Sequence, residues 1–216
     1  MGVVHRSAAE SSQGEYDGDF ATRWDGWSPH EVAHRLSHVT APWYIAAGWA
    51  LELFTGRHWR DHCDTEIGVP RDRFADIMNA LPGYAWDVVG DQRLWPYPEH
   101  VGRTHQTWLR DPETGRYHLD VFREPQTHDH RWICRHNPAI TLVYDELILH
   151  SSDGIPFAVP EVVLLFKAKQ PEAKDQKDFD HVLGMLHHQR RERLAEWIAT
   201  TYPEHPWLEQ LRAAPD

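Results

Sequence analysis

Three acidic side chains stand where two short extended segments would bring them together. In CDTEIGV, residues 63–69, an extended chain turns alternate side chains to opposite faces. Asp64 and Glu66 therefore project together, while Cys63, Thr65 and Ile67 point the other way. Two carboxylates on one face repel each other unless a cation lies between them. A hard divalent ion such as Mg²⁺ suits them, because it takes oxygen ligands and keeps positions open for phosphate oxygens. A third carboxylate comes from RYHLDVFRE, residues 116–124, where Asp120 shares a face with His118 and Phe122. Laid beside the first strand, Asp120 completes a cluster of the kind that holds two metals, activates an attacking oxygen and stabilises a leaving phosphate. Taken singly, D-x-E on a strand is more often a solvated face. Just upstream is a small-residue turn, Ala46-Ala47-Gly48, at a helix start, where backbone N–H groups can cradle a triphosphate. Helix packing favours such small residues too.

The elements that must position these groups follow from periodicity and breakers. Ser28, Pro29 and Glu31 read as a helix start with a capping box, and Val32, Leu36 and Val39 supply its apolar face. Residues 42–45 read as a short extended entry and 46–54 as a helix stopped by Gly56. Residues 71–81 have helical periodicity and end at Pro82-Gly83. Segments 84–89, 105–109 and 117–122 read as strands, the last two forming a hairpin around DPETG. ITLVYDELIL, within residues 133–155, fits strand or helix. Helical patterns fill 161–169, 175–186 and 191–200. The expected architecture is α+β: a flexible polar tail over 1–27, a mixed-sheet core flanked by helices over 28–156, and a helical C-terminal subdomain over 157–216.

Composition narrows the function classes. The 216 residues carry 22 Lys plus Arg against 33 Asp plus Glu, a formal charge of −11. That balance speaks against a duplex-DNA or anionic-membrane binder, which needs clustered cations. It suits a cationic small molecule or a metal-holding site. The 17 His outnumber the lysines, so charge changes steeply between roughly pH 5 and 7. Two cysteines, Cys63 and Cys134, make no disulfide framework and point to a reducing, cytoplasmic setting. Residues 1–28 hold no apolar signal core, and the longest uncharged apolar stretch, 41–51, is shorter than the roughly 20 residues a membrane span needs. No motif encodes an oligomeric state.

The order of AAGWALELF, RDHCDTEIGV and LDVF resembles the nucleotidyltransferase superfamily of the DNA polymerase β type. It looks closest to the aminoglycoside 2″-adenylyltransferase-like branch, related to lincosamide nucleotidyltransferases. The similarity continues through RWICRHNPAITL, DGIPFAVPEVVLLFKAK, KDQKDFDHVL and HPWLEQL, covering the chain from about residue 28 onward. The resemblance implies that Gly48 belongs to the turn approaching the triphosphate, and that Asp64 and Glu66 are paired Mg²⁺ ligands. It makes Asp120 the third ligand and the acceptor of the hydroxyl proton, and sets Lys167, Lys169 and Lys174 near the nucleotide. Three departures stand out: Ala47 where the family carries glycine, Glu66 in place of aspartate, and Pro171-Glu172 where relatives carry arginine.

Further basic residues, histidines and cysteines offer weaker signals. On a helix, Lys167 and Lys169 diverge by about 200°, so only one faces a given phosphate, and Lys167 is favoured. Arg131 and Arg135 flank WIC; one of them contacts phosphate or base, or both are surface residues. His58, His62 and Cys63 lack zinc-site spacing; His62 is expected at the entrance to the carboxylates and Cys63 in the core. The leading expectation is a Mg²⁺-dependent enzyme moving NMP, with AMP from ATP foremost, to the hydroxyl of a small cationic acceptor such as an aminoglycoside. The alternatives are a toxin-type nucleotidyltransferase acting on tRNA or protein, and an inactive nucleotide-binding module.

Overall fold

The computed structural model describes residues 20–213. Ser28 caps the first helix as expected: its hydroxyl accepts the Glu31 N–H at 3.2 Å, and Pro29 opens α1 (Pro29–Arg35). Residues 1–19 of the expected tail lie outside the described residues. The remainder of that expectation is corrected. Trp24 bridges to Tyr117, and Trp27 is buried, stacked on His118 with ring centroids 5.2 Å apart and flanked by the Arg35 guanidinium. Burial of two large aromatic surfaces outweighs the polar composition around them.

Ten strands follow in the described chain: β1 (Tyr44–Ile45), β2 (Glu66–Pro70), β3 (Ala85–Gly90), β4 (Arg93–Pro96), β5 (Gln106–Arg110), β6 (Tyr117–Glu124), β7 (Trp132–Ile133), β8 (Thr141–Leu142), β9 (Ile148–His150) and β10 (Pro156–Ala158). Eight of them form one mixed sheet in the order β4-β3-β5-β6-β2-β1-β10-β9, while β7 and β8 pair separately. The expected β5–β6 hairpin is present. Sequence reading missed β4, because its turn places Asp91 and Gln92 at φ 50° and 57° without a glycine to signal it. ITLVYDELIL resolves into β8, the single turn α4 (Tyr144–Leu147) and the start of β9, which is why neither period dominated.

The longer helices are α2 (Ala47–Thr55), α3 (Phe74–Ala80), α5 (Pro160–Lys167), α6 (Ala173–Leu183), α7 (His188–Thr201) and α8 (Trp207–Ala213). Gly56 ends α2 in the left-handed region at φ 65°. The expected break at 156/157 falls inside β10, whose Phe157 pairs with Ile45 of β1. One apolar core joins sheet residues such as Ile45, Ile67 and Leu119 to Leu164, Phe179 and Trp207 of the C-terminal helices. Cys63 is exposed, not packed in the core, whereas Cys134 is buried; both are free thiols. Among the described residues no helix is long and apolar enough to cross a membrane.

Candidate active site

Strand pairing builds the acidic face. β2 and β6 run parallel with Glu66 in register with Asp120, so both side chains leave the same face of the sheet. Asp64 lies two residues before Glu66, and its neighbour Thr65 locks the entry, accepting the Asp120 N–H through its carbonyl (3.0 Å) and donating its hydroxyl to Trp27 O (2.5 Å). Asp120 is 2 % exposed. Gln106 of β5, whose register partner on β6 is Phe122, reaches diagonally to donate its amide to Asp120 Oδ2, while Oδ1 is buried with no hydrogen-bond partner.

The electrostatics follow from crowding. Burial pushes the Asp120 carboxyl up to about 8, with Asp64 adding to the rise and Gln106 opposing it. Burial likewise raises Glu66 well above its ordinary value, helped by Asp64 and Asp120 and opposed by Lys167. Asp64 is raised by burial and held back by Arg60 and Lys174. As they stand, no three His, Cys, Asp or Glu side chains among the described residues are gathered tightly enough to hold a metal ion. The compact cage expected from the sequence is therefore not preformed. The donor set still fits a hard divalent cation: all oxygen, mutually repelling, and with one buried carboxylate oxygen unpartnered.

Beside the acids lies the N-terminus of α2. Ala46 caps it with no side-chain hydrogen bond. Ala47 adopts φ 47°, so the turn that glycine would make freely is made here by alanine at a steric cost. Gly48 is needed for close approach: a Cβ there would lie 2.1 Å from Arg60 Nη2 and 2.5 Å from His62 Cε1. Two buried acids hold that loop in place. Glu52 of α2 accepts the N–H groups of Trp59 and Arg60 and bonds His58 Nδ1 at 2.6 Å, with His62 Nε2 3.1 Å away. Asp178 of α6, fully buried, accepts from Trp59 Nε1 (2.9 Å) and Arg60 Nε (3.2 Å), and pairs with Lys167 Nζ (2.9 Å). His62 stacks on Trp49, whose indole donates to the Asp64 carbonyl at 3.1 Å.

Of the basic residues singled out in the sequence, the structure brings Lys167 to the site, bound also to Asp175 at 2.6 Å. Lys174 is exposed and paired with Glu172, close enough to act on Asp64. Lys169 lies past the end of α5, exposed and near His136. Arg131 bonds Thr141 on β8. Arg135 lines a cavity of about 340 Å³ together with Gln106, Ala46, Ala47 and Lys167. The departure at Pro171-Glu172 has a local role: Glu172 and Asp175 form a capping box for α6. Sequence reading missed Gln106, Arg60 and Asp178. The signals were faint but present: Arg60 and His62 share the i, i+2 spacing of an extended segment, and Asp175 and Asp178 the i, i+3 spacing of one helix face.

No protein-family model matches the chain, and no curated protein matches it in sequence. Solved structures do. The lincosamide antibiotic adenylyltransferase LnuA, solved with lincomycin bound, is 20 % identical with a TM-score of 0.50, covering 70 % of this chain and 91 % of that one. The solution structure of the antibiotic-resistance factor ANT(2″)-Ia is 13 % identical with a TM-score of 0.52, covering 81 % and 90 %. Its crystal structure with adenylyl-2″-tobramycin is 12 % identical with a TM-score of 0.51, covering 79 % and 95 %. At these identities the likeness is one of fold: the mixed α+β arrangement of this chain is similar to that of these three structures.

Proposed function

We propose that the protein transfers a nucleoside monophosphate from a nucleoside triphosphate to a hydroxyl of a small acceptor, releasing pyrophosphate. ATP is the first donor to test and Mg²⁺ the cation. The observation that carries this reading is the pairing of Glu66 with Asp120 in register, next to Asp64 and beneath an uncapped helix N-terminus flanked by Arg60. A divalent cation held by Asp64, Glu66 and Asp120 would neutralise the acids and polarise the phosphate oxygens. Asp120, with one oxygen oriented by Gln106 and the other unpartnered, takes the proton of the acceptor hydroxyl. The first N–H groups of α2 at Gly48, with Arg60, hold phosphate oxygens. Asp178 and Asp175 fix Lys167 so that its ammonium faces the acids. The fold neighbours include structures solved with lincomycin and with adenylyl-2″-tobramycin, which supports a polyhydroxylated antibiotic as acceptor, and the charge of −11 draws cationic compounds toward the molecule. Two unpaired cysteines support a reducing, cytoplasmic setting.

The test is transfer of label from α-labelled ATP, in Mg²⁺, to a panel of lincosamides and aminoglycosides. Asp64→Asn is expected to lower the rate by about a thousandfold, the scale of losing a transition-state electrostatic partner. Undiminished transfer by that variant overturns the ligand assignment, and no transfer from any nucleoside triphosphate overturns the reading itself.

A further inference from the structure

The cavity of about 340 Å³ lies on the face of the sheet that carries Asp120. One wall is Gln106, the residue that orients Asp120, and another is the Ala46-Ala47 turn with Lys167. Arg60, His62 and Gly48 are not among its walls, so phosphates held by Arg60 and the Gly48 N–H border it only along the Ala46-Ala47 turn and Lys167, which leaves the rest of the cavity for a second substrate. We propose that this cavity holds the acceptor and selects a hydroxyl-bearing compound with an apolar body and at most one positive charge, excluding polyamines. This rests on the nucleotidyl-transfer reading above.

Its walls carry the argument. Val162, Val163 and Phe166 of α5 face Phe122 of β6, and the Tyr44 ring lies across Gly68, where a Cβ would come within 2.2 Å of Tyr44 Cζ. An apolar body placed there gains roughly 25 cal/mol for each Å² it buries. At the polar end the one carboxylate, Glu124, is 2 % exposed and already paired with Arg135 Nε at 3.2 Å. The Arg135 guanidinium is in turn held between the Phe122 and Phe166 rings, 5.1 and 4.8 Å from their centroids. His105 completes that end and is kept neutral, its pKa driven down to about 3 by burial and by Arg135, Arg123 and Arg71. Three guanidinium groups thus act on this end against one committed carboxylate. A polyamine entering it would lose the hydration of several ammonium groups and find no free anion in return. Neutral His105, Gln106 and Tyr44 instead offer hydrogen bonds suited to hydroxyls and amides. The acidic exterior draws cations to the molecule in general; the cavity sets what fits beside Asp120.

The experiment is calorimetry on the full chain with Mg²⁺ and α,β-methylene ATP, titrating lincomycin, a singly basic sugar amide, and tobramycin, a polyamine. Lincomycin is expected to bind at least about tenfold more tightly than tobramycin. Val163→Phe, which fills the cavity, is expected to weaken lincomycin about tenfold and leave the affinity for the nucleotide analogue unchanged. Phe166→Leu provides a milder change should the larger side chain prevent folding, with an expected loss of about threefold confined to lincomycin. Tighter binding of tobramycin overturns the proposal, as does failure of lincomycin to bind. Weakening of the nucleotide analogue alone by either variant does so too, and assigns the cavity to the base. Nucleotide binding without acceptor binding sinks this inference and leaves the transfer reading standing; loss of both removes the reading beneath it.

Discussion

Asp120 links the chemistry of the site to the stability of the fold. Its carboxyl is pushed up to about 8 chiefly by burial, and burial raises Glu66, Asp64 and Glu124 as well, the last to about 7. An acid whose folded pKa exceeds its unfolded one holds its proton more tightly when folded. It stabilises the fold at low pH, and that contribution is lost as pH rises from the unfolded toward the folded value. The upper part of that loss, from about pH 6.5 to 8, belongs to Asp120 and Glu124, whose carboxyls are raised to about 8 and about 7. Thermal stability is therefore expected to fall across that window in the absence of divalent ions and to recover on adding Mg²⁺, more so at pH 8 than at 6.5. Asp120→Asn should flatten the slope and raise stability at pH 8 by on the order of 1–3 kcal/mol, read from melting curves. A slope indifferent to that substitution would contradict the assignment. Ala47 carries a second residue-scale cost, since its φ of 47° is a conformation glycine adopts freely. Ala47→Gly is expected to stabilise the protein by about 0.5–1 kcal/mol in denaturant unfolding, the relief of strain exceeding the added chain entropy.

At the scale of elements, α6 acts on the site from a distance in sequence. Asp178 bonds Trp59 and Arg60 on the α2–β2 loop and pairs with Lys167 at the end of α5, so three segments meet on one buried carboxylate. Asp178→Asn keeps the shape and removes the charge. It is expected to raise KM for the nucleoside triphosphate about tenfold, with a smaller change in kcat, because Arg60 and Lys167 lose their fixed positions. The same change should cost about 1–3 kcal/mol of stability, since part-buried Arg60 loses its charge partner while Lys167 keeps Asp175. Steady-state kinetics beside chemical denaturation separate the two effects. The sheet shows a related dependence. Gly68 is bare so that Tyr44 can lie across it, and Gly68→Val is expected to displace that ring and abolish acceptor binding ahead of nucleotide binding.

The whole molecule is held together across the expected domain boundary. Glu161, fully buried at the start of α5, is bound by Arg190 at 2.6 Å and by Arg193, both on α7. This clamp ties the helix that walls the cavity to the C-terminal bundle. Glu161→Gln is expected to cost about 3 kcal/mol in a single cooperative transition, because the core is continuous from the sheet into the helices. Two separate transitions, one for residues up to 156 and one beyond, would show instead that the C-terminal helices form an independent subdomain.

The sequence by itself determined what local rules control. Ser28-Pro29 had to start a helix, Gly56 to end one, and DPETG to turn a hairpin, because caps and turns depend on neighbouring residues alone. Alternation placed Asp64 with Glu66 and Asp120 with Phe122, since the strand period fixes which side chains share a face. Long-range pairing fell outside those rules. Only the tertiary structure set Glu66 in register with Asp120, brought the Gln106 amide of the adjacent strand diagonally onto Asp120, and carried Asp178 more than a hundred residues along the chain to meet Arg60. It also decided that Trp24 and Trp27 belong to the fold and that the cavity end at Glu124 is governed by guanidinium groups from separate segments. These are contacts between groups distant in sequence, selected by packing and charge in three dimensions, and no local spacing encodes them.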